Sequence, residues 1–378
     1  MNEKIVFGLA SMVCAALIAF SLTPSVRVLA HRIGAIDIPK DDRRMHKIPI
    51  PRLGGLAIYL AFTLTTLIFA EITPLLKAMW IGGTMIVIVG MLDDVFRLKA
   101  VVKLIFQIAV AFIAVWQGII IDHITIFGRT LEFNSVWSIV VTVFWIVGLT
   151  NAINLIDGLD GLSCGISAIC SMSLLLVTLL KGEDPACSLL TAILTASCLG
   201  FLPFNINPAK IFMGDTGALF LGYSLSLISI GGLFKFHAVM SFLVPLSIFG
   251  LPLFDTAFAI VRRLIHGKSP FEPDRGHLHH RLMDMGLNQK QSVYILYSIC
   301  GILGLSAIMF TSENLDKAII TIAVGFVIFI LDFIILKNPG TKEESGIDEM
   351  LHNSKEENNM KAERENKEIP PSEGKDGE

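Results

Sequence analysis

Apolar stretches of about 18 residues or more recur along nearly the whole chain. Each is long enough to cross a hydrocarbon layer about 30 Å thick as a helix. They fall near 4–21, 54–71, 77–92, 101–118, 137–153, 162–180, 187–203, 216–233, 238–260, 292–310 and 317–336, about eleven in all. Only 17% of the 378 residues are charged and 53% are hydrophobic, whereas soluble domains carry about 25% charged residues. Mean hydropathy is +0.68. The expected fold is an all-α polytopic integral membrane protein. The first apolar run follows Lys4 but shows no A-x-A cleavage site and is followed by a basic loop, so it reads as a retained span rather than a signal peptide.

Six cysteines, Cys14, Cys164, Cys170, Cys187, Cys198 and Cys300, lie mostly inside apolar runs and form no CxxC pair. They read as small packing residues, which argues against a disulfide framework or a zinc site.

Orientation follows from Lys and Arg in short loops. Segment 22–53 carries Arg27, Arg32, Lys40, Arg43, Arg44, Lys47 and Arg52, and segment 261–291 carries Arg262, Arg263, Lys268, Arg275, Arg281 and Lys290. An even number of crossings separates them, which puts both on the cytoplasmic side of a bacterial plasma membrane. The chain then starts outside and ends inside. Residues 119–136, GIIIDHITIFGRTLEFNS, alternate around Phe127-Gly128-Arg129 and predict a small external β-hairpin. From about 338 onward the composition turns polar and charged, so 1–337 is expected as the membrane domain and 338–378 as a disordered or loosely helical cytoplasmic tail.

With that topology every dense polar motif falls on one face: GMLDDVFRLKAVVK, NAINLIDGLDGL, FNINPAKIFMGDTGALFLGY and FDTAFAIVRRLIHGKSPFEPDRGHLHHRL. A carboxylate at the aqueous border avoids the roughly 2.5–3.5 kcal/mol that the bilayer centre imposes. Acids that converge still repel one another and raise each other's pKa. A divalent cation relieves that repulsion, and Mg²⁺ takes one or two protein carboxylates and leaves its other positions to water and phosphate. Arg and His then suit a bound diphosphate. Acids for a metal, bases for phosphates and glycines for close approach describe phosphoryl transfer, in which positioning and charge neutralisation do most of the work.

Each signal has a plainer reading. Asp93-Asp94 is also a helix end with solvated acids, DGLDG a turn, and MGDTG a helix start capped by Asp215 or Thr216. HLHH is also a solvated loop, Lys103 a snorkelling lysine, and Phe212 an interfacial packing residue. Their joint placement favours the chemical reading. A secondary transporter is the alternative of a different class, although transporter sites lie near the midplane on broken helices.

DDVFRLK, NAINLIDGLDGL, NPAKIFMGDTG and RRLIHGKSPFEPDRGHLHHRL occur in this order and resemble the polyprenyl-phosphate N-acetylhexosamine-1-phosphate transferases over about residues 20–300. The resemblance implies ten or eleven spans, a homodimer, Mg²⁺ (with Mn²⁺ as the alternative), and transfer of a sugar-1-phosphate from a UDP-sugar to undecaprenyl phosphate with release of UMP. No nucleic acid is implied. HLHH after PDRG is similar to the branch that uses UDP-N-acetylglucosamine, including the teichoic-acid-initiating enzymes. Leu278 interrupts the histidine run typical of the phospho-N-acetylmuramoyl-pentapeptide transferases of peptidoglycan synthesis, the alternative within the family.

By motif position the resemblance assigns Asp215 as principal metal ligand with Asn154 nearby. Phe212 is expected to stack on uracil, and Leu159 and Asp160 to border the same base. Asp93 and Asp94 are expected beside the acceptor phosphate, with Asp157 supporting the metal or Lys103. His277, His279, His280 and an arginine at 262 or 263 would hold the diphosphate and sugar, and Lys47 is expected to contact phosphate. Direct attack of the acceptor phosphate is expected, with a covalent Asp93 or Asp94 intermediate as the competing scheme.

Overall fold

The computed structural model describes residues 3–38, 48–126, 129–181, 185–233, 242–267, 269, 276–311, 320–325, 327 and 330. Lys47 and the expected tail at 338–378 lie outside them, as does most of the expected span 317–336. The described elements belong to one unit, Met1–Leu331.

The chain runs α1 (Glu3–Ile33), β1 (Ile36–Asp37), β2 (Ile50–Pro51), α2 (Gly55–Phe69), α3 (Pro74–Phe96), α4 (Ala100–Trp116), β3 (His123–Ile126), β4 (Arg129–Glu132), α5 (Ser135–Leu155) and α6 (Leu162–Lys181). It continues through α7 (Pro185–Asn205), α8 (Gly214–Gly232), α9 (Leu243–Ile248), α10 (Gly250–Ile265), α11 (Leu278–Asp284) and α12 (Gln289–Thr311). Among the described residues, six helices are long and apolar enough to cross a membrane (α1, α3, α5, α6, α7, α12), and α2 and α4 are shorter apolar helices. This is a polytopic helical membrane protein.

Local sequence sets the helix boundaries. Thr73 caps α3 by accepting from Leu76 N at 3.1 Å, with Pro74 in the first turn, where its missing N–H costs nothing. Asn134 caps α5 through Trp137 N at 3.0 Å. At its far end α3 stops because Arg97 takes φ 55°, with its N–H returning to the Asp93 carbonyl at 2.8 Å.

α8 is the central helix. From Thr216 to Gly232 every residue is buried, and it packs against α2, α3, α5, α6 and α7. A helix covered all round needs no amphipathic face, and in lipid such packing relies on small residues and interhelical hydrogen bonds. Accordingly Ser229 Oγ accepts from Trp145 Nε1 at 2.9 Å, and Tyr223 donates to the Ala78 carbonyl at 3.0 Å. The large exposed apolar side chains, such as Leu17, Leu67, Phe112 and Phe144, lie on the outward faces of α1, α2, α4 and α5.

Three elements differ from the expectation. α1 continues to Ile33 instead of ending near residue 21, because nothing after Pro24 breaks the helix until Gly34 takes φ 77°. The stretch expected as one span at 238–260 holds two helices, α9 and α10, separated at Phe249. β1 and β2, which no alternation announced, pair antiparallel as Ile36↔Pro51 and Asp37↔Ile50. β3 and β4 also pair antiparallel, with Ile126 opposite Arg129.

Candidate active site

The site is assembled where the end of α3 meets the start of α8, with Asp157 of the α5–α6 connection near both. Asp94, in the last turn of α3, has a fully buried side chain. Its Oδ1 accepts from Arg52 Nε and Asp215 N, both at 3.0 Å, and its Oδ2 from Thr216 N at 3.1 Å and Thr216 Oγ1 at 2.6 Å. One carboxylate therefore satisfies the first free amides of α8 and sits on the positive end of its dipole. Gly214 is required for this approach. It takes φ 71°, and a Cβ there would lie 2.5 Å from Asp94 Oδ2. Asp94 was expected beside a substrate phosphate, but its four donors leave it no free lone pair to offer. It sets the start of α8, and with it Asp215.

Asp93 faces the other way. Its Oδ1 accepts Leu98 N at 2.6 Å, which fixes the turn after α3, and its Oδ2 accepts Lys103 Nζ at 3.1 Å. Lys103 also donates to Asp215 Oδ2 at 2.6 Å, so it bridges two acids from different loops rather than snorkelling to the interface. Arg52 approaches Asp215 Oδ1 from the opposite side at 3.6 Å. Burial works against the Arg52 charge, but Asp94, Asp215 and Asp37 more than offset it and hold the guanidinium charged.

Asp157, half-buried in the α5–α6 connection, is close enough to Asp215, Arg52 and Asp94 to feel their charges. Burial first, and then the charge of Asp215, push its carboxyl up to about 8. Its side chain has no hydrogen-bond partner among the described residues, and neither has Asn154, one helical turn earlier. Among the described residues, Arg52 and Lys103 are the counter-charges paired with the group formed by Asp93, Asp94, Asp157 and Asp215. The carboxylates of Asp157 and Asp215 act on each other, and Asn154 is tied to Asp157 through its carbonyl, which accepts Asp157 N at 3.3 Å. Hard oxygens of this kind suit a divalent cation such as Mg²⁺, which completes its shell with water and phosphate. Among the described residues no group of three or more His, Cys, Asp or Glu side chains is arranged to hold a metal ion by itself, so a cation here would rest on fewer carboxylates, with an amide, water and phosphate.

The glycines of NAINLIDGLDGL bring in the histidine loop. Gly158 lies directly against the His279 ring, so that an added Cβ would overlap it. His277 and His279 stack with ring centroids 5.8 Å apart and planes 9° off parallel, and His279 and His280 are 4.2 Å apart. Burial, and next the neighbouring histidines, lower His279 to about 4, so this ring is neutral near pH 7. Arg263, on α10, is buried.

Other expected residues have structural partners. Asp160 Oδ2 accepts Asn207 Nδ2 at 2.9 Å and Ala209 N at 3.0 Å, tying the α7–α8 loop to the α5–α6 connection. Leu159 is buried. Phe212 is half-buried and held by its backbone, donating to the Pro51 carbonyl at 2.8 Å and accepting from Gly54 N at 2.9 Å. Asn151 exchanges hydrogen bonds with Gln107 at 2.7 and 3.2 Å, joining α5 to α4.

No role was read from the sequence for Arg52 or Asp255, and Thr216, expected as a possible helix cap, instead donates its hydroxyl to Asp94. Arg52 was counted only as a loop charge. Asp255 falls inside the apolar stretch expected at 238–260, which is itself a signal, since an acid within an expected span needs a reason.

A sequence profile described as glycosyl transferase family 4 matches residues 76–233, the interval that contains Asp93, Lys103, Asp157 and Asp215. A Bacillus subtilis protein named "Probable undecaprenyl-phosphate N-acetylglucosaminyl 1-phosphate transferase" is 41% identical over 335 residues, 88% of this chain and 91% of its own. A decaprenyl-phosphate N-acetylglucosaminephosphotransferase from Mycolicibacterium smegmatis is 35% identical over 78% of this chain and 79% of its own. A phospho-N-acetylmuramoyl-pentapeptide-transferase from Bacillus cytotoxicus matches at 35% identity over 51% of this chain and 63% of its own. Membership replaces the transporter alternative: the chain, with its acids gathered at the ends of α3 and α5 and the start of α8, belongs to the glycosyl transferase family 4 of membrane phosphotransferases.

Proposed function

We propose that the protein transfers N-acetylglucosamine-1-phosphate from UDP-GlcNAc to undecaprenyl phosphate, releasing UMP, on the cytoplasmic side of a bacterial plasma membrane. The observation that carries this reading is a cluster of four carboxylates that, among the described residues, is paired with two cations and leaves the Asn154 and Asp157 side chains without a hydrogen-bond partner. The name of the Bacillus subtilis relative, matched over 88% of this chain, supports undecaprenyl phosphate and N-acetylglucosamine-1-phosphate, and that of the Mycolicibacterium smegmatis relative supports the same phospho-sugar on a polyprenyl phosphate. The orientation rests on the basic loops. We propose the same for about eleven spans, the homodimer and the teichoic-acid or surface-polysaccharide role.

In the proposed step an oxygen of the acceptor phosphate attacks the β-phosphorus of the donor. The bond to the bridging oxygen breaks, and UMP leaves with the electron pair. The acceptor monoester is already largely ionised at neutral pH, so no strong base is needed. Asn154, Asp157 and Asp215 would hold Mg²⁺, or Mn²⁺ in its place, and the ion would neutralise diphosphate charge. Lys103 carries the ammonium nearest both Asp93 and Asp215, which suits it to a phosphate oxygen, while Asp93 holds it in place. The Phe212 ring is assigned to the uracil. Asp160 shapes the base-side wall by holding Asn207 and Ala209. The histidines take the diphosphate and sugar.

Purified protein in detergent tests this directly. UMP release is expected with UDP-GlcNAc and undecaprenyl phosphate together and with neither alone. Release with UDP-MurNAc-pentapeptide but not with UDP-GlcNAc would instead select the peptidoglycan branch. Chelation should bring UMP release to background, and excess Mg²⁺ should restore it; full activity in EDTA would remove the metal from the account.

Gly158→Ala is the sharpest test of the histidine contact. The added methyl pushes the His279 ring away, and misplacement on the ångström scale costs up to about 100-fold. A loss of about 10- to 100-fold in kcat/KM for UDP-GlcNAc, with an unchanged melting profile, is expected. Unchanged kinetics would separate the histidines from the donor.

A further inference from the structure

Asp255, on α10, makes two hydrogen bonds to the start of the histidine helix. Its Oδ2 accepts from His277 Nδ1 at 2.9 Å, and its Oδ1 from Leu278 N, also at 2.9 Å. Both Asp255 and His277 are buried, at 6% and 5% exposure. A carboxylate only accepts, so His277 Nδ1 must carry the proton in this pairing. His277 Nε2 is then the ring nitrogen left for a ligand, and it has no hydrogen-bond partner among the described residues. The consequence reaches further, because His277 stacks parallel on His279 and His279 lies against Gly158, beside Asp157. A single acid on α10 therefore sets the ring plane of two histidines and, through them, the wall of the α5–α6 connection.

We infer that Asp255 is a positioning residue for donor recognition: it fixes the tautomer and tilt of His277 so that Nε2 meets the diphosphate–sugar part of the nucleotide. This rests on the reading that the histidine loop holds the UDP-sugar. It adds a residue to that reading, one at the start of the fourth polar motif that had been given no role there. Metal-site histidines are oriented by carboxylates through the same geometry, and loss of such partners costs roughly 10- to 100-fold.

Asp255→Asn tests it, because an amide keeps the size but presents an N–H₂ to His277 or to Leu278 N. The expected result is a fall of about 10- to 100-fold in kcat/KM for UDP-GlcNAc, with KM for undecaprenyl phosphate unchanged. In the background of His277→Ala, the same change should cost less than about 2-fold, because the group it positions is gone. Equal losses for both substrates, or additive losses in the double variant, overturn the inference. If Asp255→Asn does not accumulate as folded protein, ¹⁵N-histidine spectra of the unaltered protein decide it, with His277 assigned by its loss in His277→Ala. Nδ1 protonated supports the assignment, and Nδ1 bare overturns it. Absence of UMP release by the unaltered protein would count against the donor reading itself, while the ¹⁵N result would still report on the pairing.

Discussion

Asp215→Asn is expected to lower the rate of UMP release about 1000-fold while leaving the protein folded. Asp215 is the acid on which the site converges. Lys103 and Arg52 both reach it, at 2.6 and 3.6 Å, and its charge is the second cause of the upward shift at Asp157. Its backbone N–H, which Asp94 holds at 3.0 Å, is untouched by the substitution, so the start of α8 keeps its anchor. What is lost is one negative charge at the point proposed for the cation and the donor diphosphate. Removing a preorganised charge-stabilising group typically costs 10²–10³ in rate, about 3–4 kcal/mol. The measurement is kcat for both substrates beside a melting curve. Activity within 10-fold of the unaltered protein would displace Asp215 from the centre of the chemistry.

Asp94→Asn should show its largest effect on stability. The carboxylate accepts from four donors: Arg52 Nε, the amides of Asp215 and Thr216, and the Thr216 hydroxyl. An amide offers one acceptor oxygen and turns an N–H₂ toward the remaining donors. It also leaves the largely buried Arg52 guanidinium without its best-placed counter-charge. Breaking one side of a buried ion pair costs about 3–5 kcal/mol. Thr216→Val, which removes only the hydroxyl bond, should cost about 1 kcal/mol. Thermal unfolding of the detergent-purified variants ranks them, and an Asp94→Asn protein as stable as Thr216→Val would show that the four-donor arrangement carries little weight.

Helices were legible because apolar runs of spanning length have one stable form in lipid, and the acids were legible because charge at such a boundary is costly without a use. What could not be read was which oxygen faces which donor. Asp93 and Asp94 are neighbours in the chain, yet one turns to Lys103 and the other to the start of α8. Arg52 and Asp94 are 42 residues apart, and Asp255 and His277 are 22 apart. No local pattern announces such pairs. The division of the expected 238–260 span was hidden for a related reason: hydropathy is continuous through Phe249 and Gly250, and the break between α9 and α10 is a matter of packing. Arg52 lost its place to Lys47 because a basic cluster draws attention to its middle, whereas the bridge between Arg52 and Phe212 puts the cluster's last member beside the site.

The central proposition is that loops distant in the chain form one cation site, with Asn154 and Asp157 from one connection and Asp215 from the start of α8. Mn²⁺ in place of Mg²⁺ makes that site visible by electron paramagnetic resonance in the purified protein. One saturable Mn²⁺ site is expected, whose signal changes when UDP-GlcNAc is added and which is lost in both Asp157→Asn and Asp215→Asn. Mn²⁺ binding of undiminished affinity in both variants would contradict it.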